Sequence, residues 1–156
     1  MSVKNRVDSI SRVILANPRA IFRTFRDKET LLAWRAPEGM TAEMKVFDPR
    51  VGGGYRMVLR YQGEDAAAQG KSRPGEDEVA VAFLEMHAEE RVVESVHFVS
   101  DDPLFAEPMI LTTILEKDRD GTKVTLRAEN VPEAILAEDH KAGMLSALRN
   151  LARLTE

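Results

Sequence analysis

Apolar and polar residues alternate in YRMVLRYQ, residues 55–62, with Tyr55, Met57, Leu59 and Tyr61 on one side and Arg56 and Arg60 on the other. A period of two marks a strand with one buried and one wet face. A looser version of the pattern predicts strands over TAEMKVFD (41–48), EVAVAFLEM (78–86), RVVESVHFV (91–99), PMILTTILEKD (108–118) and TKVTLRAEN (122–130). His87-Ala88-Glu89-Glu90 forms a turn, and Asp101-Asp102-Pro103 opens a loop. Arg119-Asp120-Gly121 carries the Asp-Gly hairpin signal. RVDSISRVIL (6–15) mixes β-branched and polar residues and is read as the first strand. The polar segment GEDAAAQGKSRPGEDE (63–78) is expected to be a long mobile connection, either a lid or disordered.

The period changes in three places. After Asn17, a plausible N-cap, and Pro18 at the first helical position, Ile21, Phe22 and Phe25 fall on one helical stripe. KETLLAWR (28–35) is a second short helix that turns Leu31, Leu32 and Trp34 inward. PEAILAEDHKAGMLSALRNLARL is expected to be one long helix starting near Pro132. Its stripe is Leu136, Met144, Leu148 and Leu151, flanked by Leu145, Ala147 and Leu154. A strand, two short helices, a run of about six strands and a long amphipathic helix describe an α+β fold in which an antiparallel sheet curls around the last helix.

The glycines of DPRVGGGYRM (48–57) raise the question of a phosphate loop. Such a loop needs a helix N-terminus after it, whose free N–H groups and dipole hold the anion. Here a strand follows, with no Gly-Lys-Ser/Thr and no GxGxxG. Gly52, Gly53 and Gly54 are therefore expected to supply positive φ or a bulge in a hairpin.

Composition narrows the classes. The 156 residues fit one domain, 1–156, able to bury roughly 68–70% of its unfolded surface. With no cysteine, there is no disulfide, thiolate site or cysteine nucleophile. The net charge of −4 and scattered basic residues argue against nucleic acid. MSVKNRVDSIS lacks the apolar run of a signal peptide, and no stretch suits a membrane span, so a cytoplasmic location is expected.

D-x-R-x-G-G at Asp48, Arg50, Gly52 and Gly53 resembles a hallmark of the START-like SRPBCC superfamily, in the branch of the heat-shock protein 90 ATPase activator homologues (AHSA type). ANPRAIFRTFRDKETLLAWRAPEG, ending in Trp34, Pro37, Glu38 and Gly39, resembles that branch's opening. HKAGMLSALRNLARL resembles its closing helix, H-x-x-G-W-x-x-x-L-x-x-L, through His140, Gly143, Leu148 and Leu151, with Met144 where tryptophan is common. The resemblance spans roughly residues 6–154. It implies a helix-grip fold of about six or seven strands with a cavity between sheet and helix. Strand parity combined with that geometry nominates Trp34, Met57, Leu59, Phe83, Phe98, Met109, Met144 and Leu148 as cavity lining.

Candidate chemistry is sparse. His87, His97 and His140 show no metal-ligand spacing, and His140 is expected at the surface of the helix start. No metal and no cofactor are expected. Ser9, Ser11, Ser72, Ser95, Ser100 and Ser146 lack a nucleophile elbow. Glu85 and Glu94 interrupt strand patterns. Pointing inward, either would be an acid–base candidate. The preferred alternative has them facing solvent or pairing with Arg56, Arg60 or Arg91, since charges are almost never buried unpaired. Of the seven methionines, Met44, Met57, Met86, Met109 and Met144 fall in predicted elements, where core filling is the simplest reading. Three functions follow, in order of preference. The first is binding of a small, mostly apolar molecule in the cavity. The second is a metal-free cyclase or hydrolase using a cavity carboxylate. The third is stimulation of a chaperone ATPase. Homodimerisation is compatible with all three.

Overall fold

The computed structural model describes residues 6–156; residues 1–5, where the stretch read as lacking a leader begins, lie outside the described residues. Seven strands, β1 (Val7–Ile14), β2 (Met40–Phe47), β3 (Gly54–Tyr61), β4 (Glu76–His87), β5 (Arg91–Phe98), β6 (Met109–Asp118) and β7 (Gly121–Glu129), form one antiparallel sheet in the order β1-β7-β6-β5-β4-β3-β2. Helices α1 (Pro18–Arg23) and α2 (Lys28–Arg35) follow β1, joined by a 3₁₀ turn at Thr24–Arg26, and α3 (Ala137–Thr155) closes the chain. No helix among the described residues is long and apolar enough to cross a membrane.

Local chemistry sets the boundaries. The Asn17 side chain accepts a hydrogen bond from the Ala20 N–H at 2.8 Å, capping α1, and Pro18 occupies the first helical position. The Trp34 indole donates to Thr24 Oγ1 at 3.0 Å, which ties α2 to the preceding turn through a buried but satisfied pair. The glycine loop is a bend between β2 and β3. Gly52 sits at φ +89°, and a Cβ on Gly53 would collide with the backbone and side chain of Asp48.

Two expectations need correction. The last helix starts at Ala137, not near Pro132. The Arg6 guanidinium takes the carbonyls of Pro132 (3.2 Å) and Ile135 (2.5 Å), and the Ile135 N–H bonds Pro132 O, so residues 132–136 turn instead of coiling. Leu136 is consequently 65% exposed, and Leu145 and Leu154 are also exposed. The 63–78 segment, expected to be a mobile connection that is either a lid or disordered, is pinned. It holds a 3₁₀ turn at Ala66–Ala68, the Glu78 N–H donates to Ser72 Oγ at 2.7 Å, and β4 already begins at Glu76.

The core lies between the sheet's concave face and α1, α2 and α3, with Phe25, Trp34, Phe83, Leu148 and Leu151 at its centre. On the outer face, Val58 is buried between Glu43 and Glu78 in the register. Around it runs a lattice of ion pairs: Arg60 with Glu43 and Glu76, Arg73 with Glu76 and Glu78, and Arg56 with Glu78.

Candidate functional site

Helix α3 presents two working faces. Met144, Ala147, Leu148, Leu151 and Ala152 pack into the core. One step around the helix, Asp139, Ala142, Gly143, Ser146 and Arg149 border a cleft of about 740 Å³. Facing them are Met40 of β2, Leu59 and Tyr61 of β3, Asp77 of β4 and Phe98 of β5, with Gln69 and Lys71 supplied by the pinned connection. A Cβ built on Gly143 meets nothing within 4 Å. Packing therefore does not require this glycine, which costs a helix about 1 kcal/mol relative to alanine. Its bareness leaves the cleft wide.

The cleft's polar groups are mostly held by one another. Asp77, 4% exposed, accepts from the Lys71 N–H at 2.7 Å, Tyr61 Oη at 2.7 Å and Lys71 Nζ at 3.0 Å. Burial favours a neutral Lys71, but the Asp77 carboxylate more than offsets this and holds its pKa above the ordinary value. Burial and the hydrogen bond to Asp77 push Tyr61 upward. Glu38 pairs with Arg149 at 3.2 Å on the rim, while Ser146 Oγ accepts the Glu38 N–H at 3.0 Å. His140 Nδ1 lies 2.8 Å from Asp8 Oδ2. Its side chain is 15% exposed, so His140 is not the surface residue expected from its place in the first turn of α3. Strand β1 brings Asp8 alongside that turn. Among the described residues, no group of three or more His, Asp or Glu is placed to hold a metal ion.

The two flagged glutamates part company. Glu85 is solvent-facing and pairs with His87 (2.9 Å) and Arg91 (3.0 Å). Glu94 is fully buried, and its partner is none of the strand arginines but Arg35 of α2. Arg35 grips both carboxylate oxygens at 2.7 and 3.1 Å, Tyr55 Oη donates to Oε2 at 3.1 Å, and the guanidinium lies over the rings of Trp34 and Phe25. Neither glutamate borders the cleft.

The sequence matches the family described as activator of Hsp90 ATPase homolog 1-like protein over residues 15–156. The chain belongs to that family.

Solved structures agree on this AHSA1-like fold, the helix-grip of the START-like SRPBCC superfamily. Protein CV1439 from Chromobacterium violaceum is 29% identical, with 96% of each chain covered and a TM-score of 0.81. The Mll3558 protein from Rhizobium loti is 26% identical over 99% of each chain, with a TM-score of 0.71. An AHSA1-like protein from Aeromonas hydrophila shares 16% identity over 96% of this chain and 91% of its own, with a TM-score of 0.69. No curated protein matches.

Of the side chains nominated as lining, Leu59 and Phe98 border the cleft of this AHSA1-like domain. Trp34, Phe83 and Leu148 are fully buried, and Met57, Met109 and Met144 nearly so, in the core alongside. Asp77, Lys71 and the Asp8–His140 pair were not anticipated. Running the inward parity of Val79, Val81 and Phe83 back by two residues reaches Asp77, a signal that a polar connection over 63–78 conceals.

Proposed function

We propose that this AHSA1-like domain binds one small, mostly apolar molecule in the cleft between α3 and strands β2–β5. The observation that carries the reading is Gly143, a mid-helix glycine that faces the cleft and that nothing in the packing demands. An apolar floor of Met40, Leu59 and Phe98 under a few fixed polar groups has the character of a small-molecule site, and a volume of about 740 Å³ is of the right order. Binding is favoured over acid–base catalysis because Asp77, the buried carboxylate of the cleft, is already satisfied by three donors, and Glu85 and Glu94 lie elsewhere.

Native mass spectrometry of freshly purified protein tests this against a Gly143→Leu variant, whose Cβ meets open space and whose side chain reaches into the cleft. The wild type is expected to carry a mass excess, lost on denaturation, that the variant lacks. An unchanged excess in the variant would place the molecule elsewhere. A bare mass in both, with no saturable binding of either 1-naphthol or 1-methoxynaphthalene, would overturn the reading.

A further inference from the structure

Asp8 near the start of β1 receives three hydrogen bonds: Arg6 Nη2 at 2.8 Å and His140 Nδ1 at 2.8 Å on Oδ2, and Arg6 Nε at 3.2 Å on Oδ1. Arg6 is itself fixed by the carbonyls of Pro132 and Ile135. The Arg6 hydrogen bonds hold the Asp8 carboxyl below the usual carboxylate range, against a smaller opposing effect of burial. An ionised carboxylate only accepts, so the proton between Asp8 and His140 belongs to Nδ1. In the neutral imidazole Nε2 then carries the lone pair, and among the described residues it has no hydrogen-bond partner. His140 borders the cleft.

We infer that His140 Nε2, oriented by Asp8, is the polar recognition point of the cleft, and that the molecule it takes is an apolar body carrying one hydrogen-bond donor, an alcohol or phenol hydroxyl. This rests on the cleft being a binding site. The other polar groups compete poorly for such a donor. Asp77 is saturated, Glu38 is on the rim with Arg149, and Asp139 is exposed. A partly buried acceptor with no protein partner can take a ligand hydroxyl without breaking a hydrogen bond inside the protein. The two cations that border the cleft, Lys71 and Arg149, are already paired with Asp77 and Glu38, so a carboxylate or phosphate headgroup would have to break an ion pair to be held, and an anionic handle is disfavoured. Asp8 does not touch the ligand; it is a positioning residue that sets the tautomer.

The probes are 1-naphthol and 1-methoxynaphthalene, which share an apolar body and differ in the donor, titrated by their own fluorescence. The wild type is expected to bind the naphthol about tenfold more tightly, the value of one well-made hydrogen bond. His140→Ala, and Asp8→Asn, whose amide can donate to Nδ1 and move the proton to Nε2, are each expected to bring that ratio close to one. Equal binding of the two probes by the wild type would overturn the handle and leave the cleft standing; binding of neither would overturn the cleft reading itself. Long-range ¹H–¹⁵N spectra of the His140 ring in the wild type at neutral pH give an independent reading that needs neither ligand nor variant. The Nδ1–H tautomer is expected, and an Nε2–H tautomer overturns the proposal.

Discussion

At the scale of single residues, the most consequential group is the buried Arg35–Glu94–Tyr55 cluster. Glu94 was visible in the sequence as an acid on an otherwise apolar strand face. Its partner was not, because Arg35 lies 59 residues earlier on a different element and only the packing of α2 against the sheet brings them together. Breaking a buried ion pair strands a charge, which is far worse than never having had one. Glu94→Gln is expected to lower the unfolding free energy by about 3–5 kcal/mol in a urea titration, whereas Glu94→Leu with Arg35→Met together should cost much less. A loss below about 1 kcal/mol in the single variant would mean the charge is not desolvated as the structure has it. The tyrosines give a pH test. Burial and the Glu94 charge raise Tyr55, and burial and Asp77 raise Tyr61, so neither of the protein's two tyrosines should ionise near the ordinary pKa of about 10 while the fold is intact. Their folded-state values exceed the unfolded ones. The stabilisation is therefore complete below about pH 10 and is lost as pH rises towards the folded values. Absorbance titration should show delayed phenolate formation that coincides with alkaline unfolding.

At the scale of elements, strands and short helices were legible because their signals are local. Alternation fixed β3, the Asp-Gly turn fixed the β6–β7 hairpin, and Asn17-Pro18 fixed the start of α1. What was illegible depended on distant partners. Pro132 opens an apolar helical pattern, yet Arg6, 126 residues away, captures the carbonyls that a helix there would have needed. The cleft face of α3 was illegible for another reason. A hydrophobic stripe announces a core, but Ala142, Gly143 and Ser146 carry little side chain with which to announce anything. Glycine at two positions makes opposite predictions. Gly143→Ala should raise the unfolding free energy by about 0.5–1 kcal/mol, because the new methyl meets only open space and the unfolded chain loses entropy. Gly52→Ala should lower it by about 1–2 kcal/mol, because φ of +89° is strained for any L side chain. Denaturant midpoints for the two variants would separate the cases, and a destabilised Gly143→Ala would mean that α3 is pressed closer to the sheet than the cleft allows.

At the scale of the whole molecule, core and cleft divide the concave side of one sheet. The broad helix interior is filled by Trp34, Phe25, Leu148 and Leu151, while the N-terminal half of α3 stands off β2–β5 and leaves the cleft, with the connection from β3 to β4 folded along its edge. That connection has little apolar surface of its own to bury. Its position depends on polar fasteners: Lys71 to Asp77, Ser72 to Glu78, and Gly75 to Gln69 and Tyr61. Segments held this way open locally at a fraction of the global unfolding free energy. Asp77→Asn removes the charge that binds both the Lys71 amide and its ammonium, each a charge-assisted hydrogen bond in a nearly dry position. Amide exchange across residues 69–75 should therefore accelerate by about 10- to 100-fold, the equivalent of about 1.5–3 kcal/mol, while the paired amides of β6 and β7 keep their rates. Hydrogen-exchange mass spectrometry of wild type and variant side by side would read both regions in one experiment. Equal acceleration everywhere would show Asp77 to be a support of the global fold, and no acceleration at 69–75 would show that the backbone hydrogen bonds of the connection hold it without the carboxylate. A selective effect would make the Lys71–Asp77 pair the fastener that sets how readily the cleft's edge opens, so that a single buried carboxylate controls the local stability of one wall of the cleft.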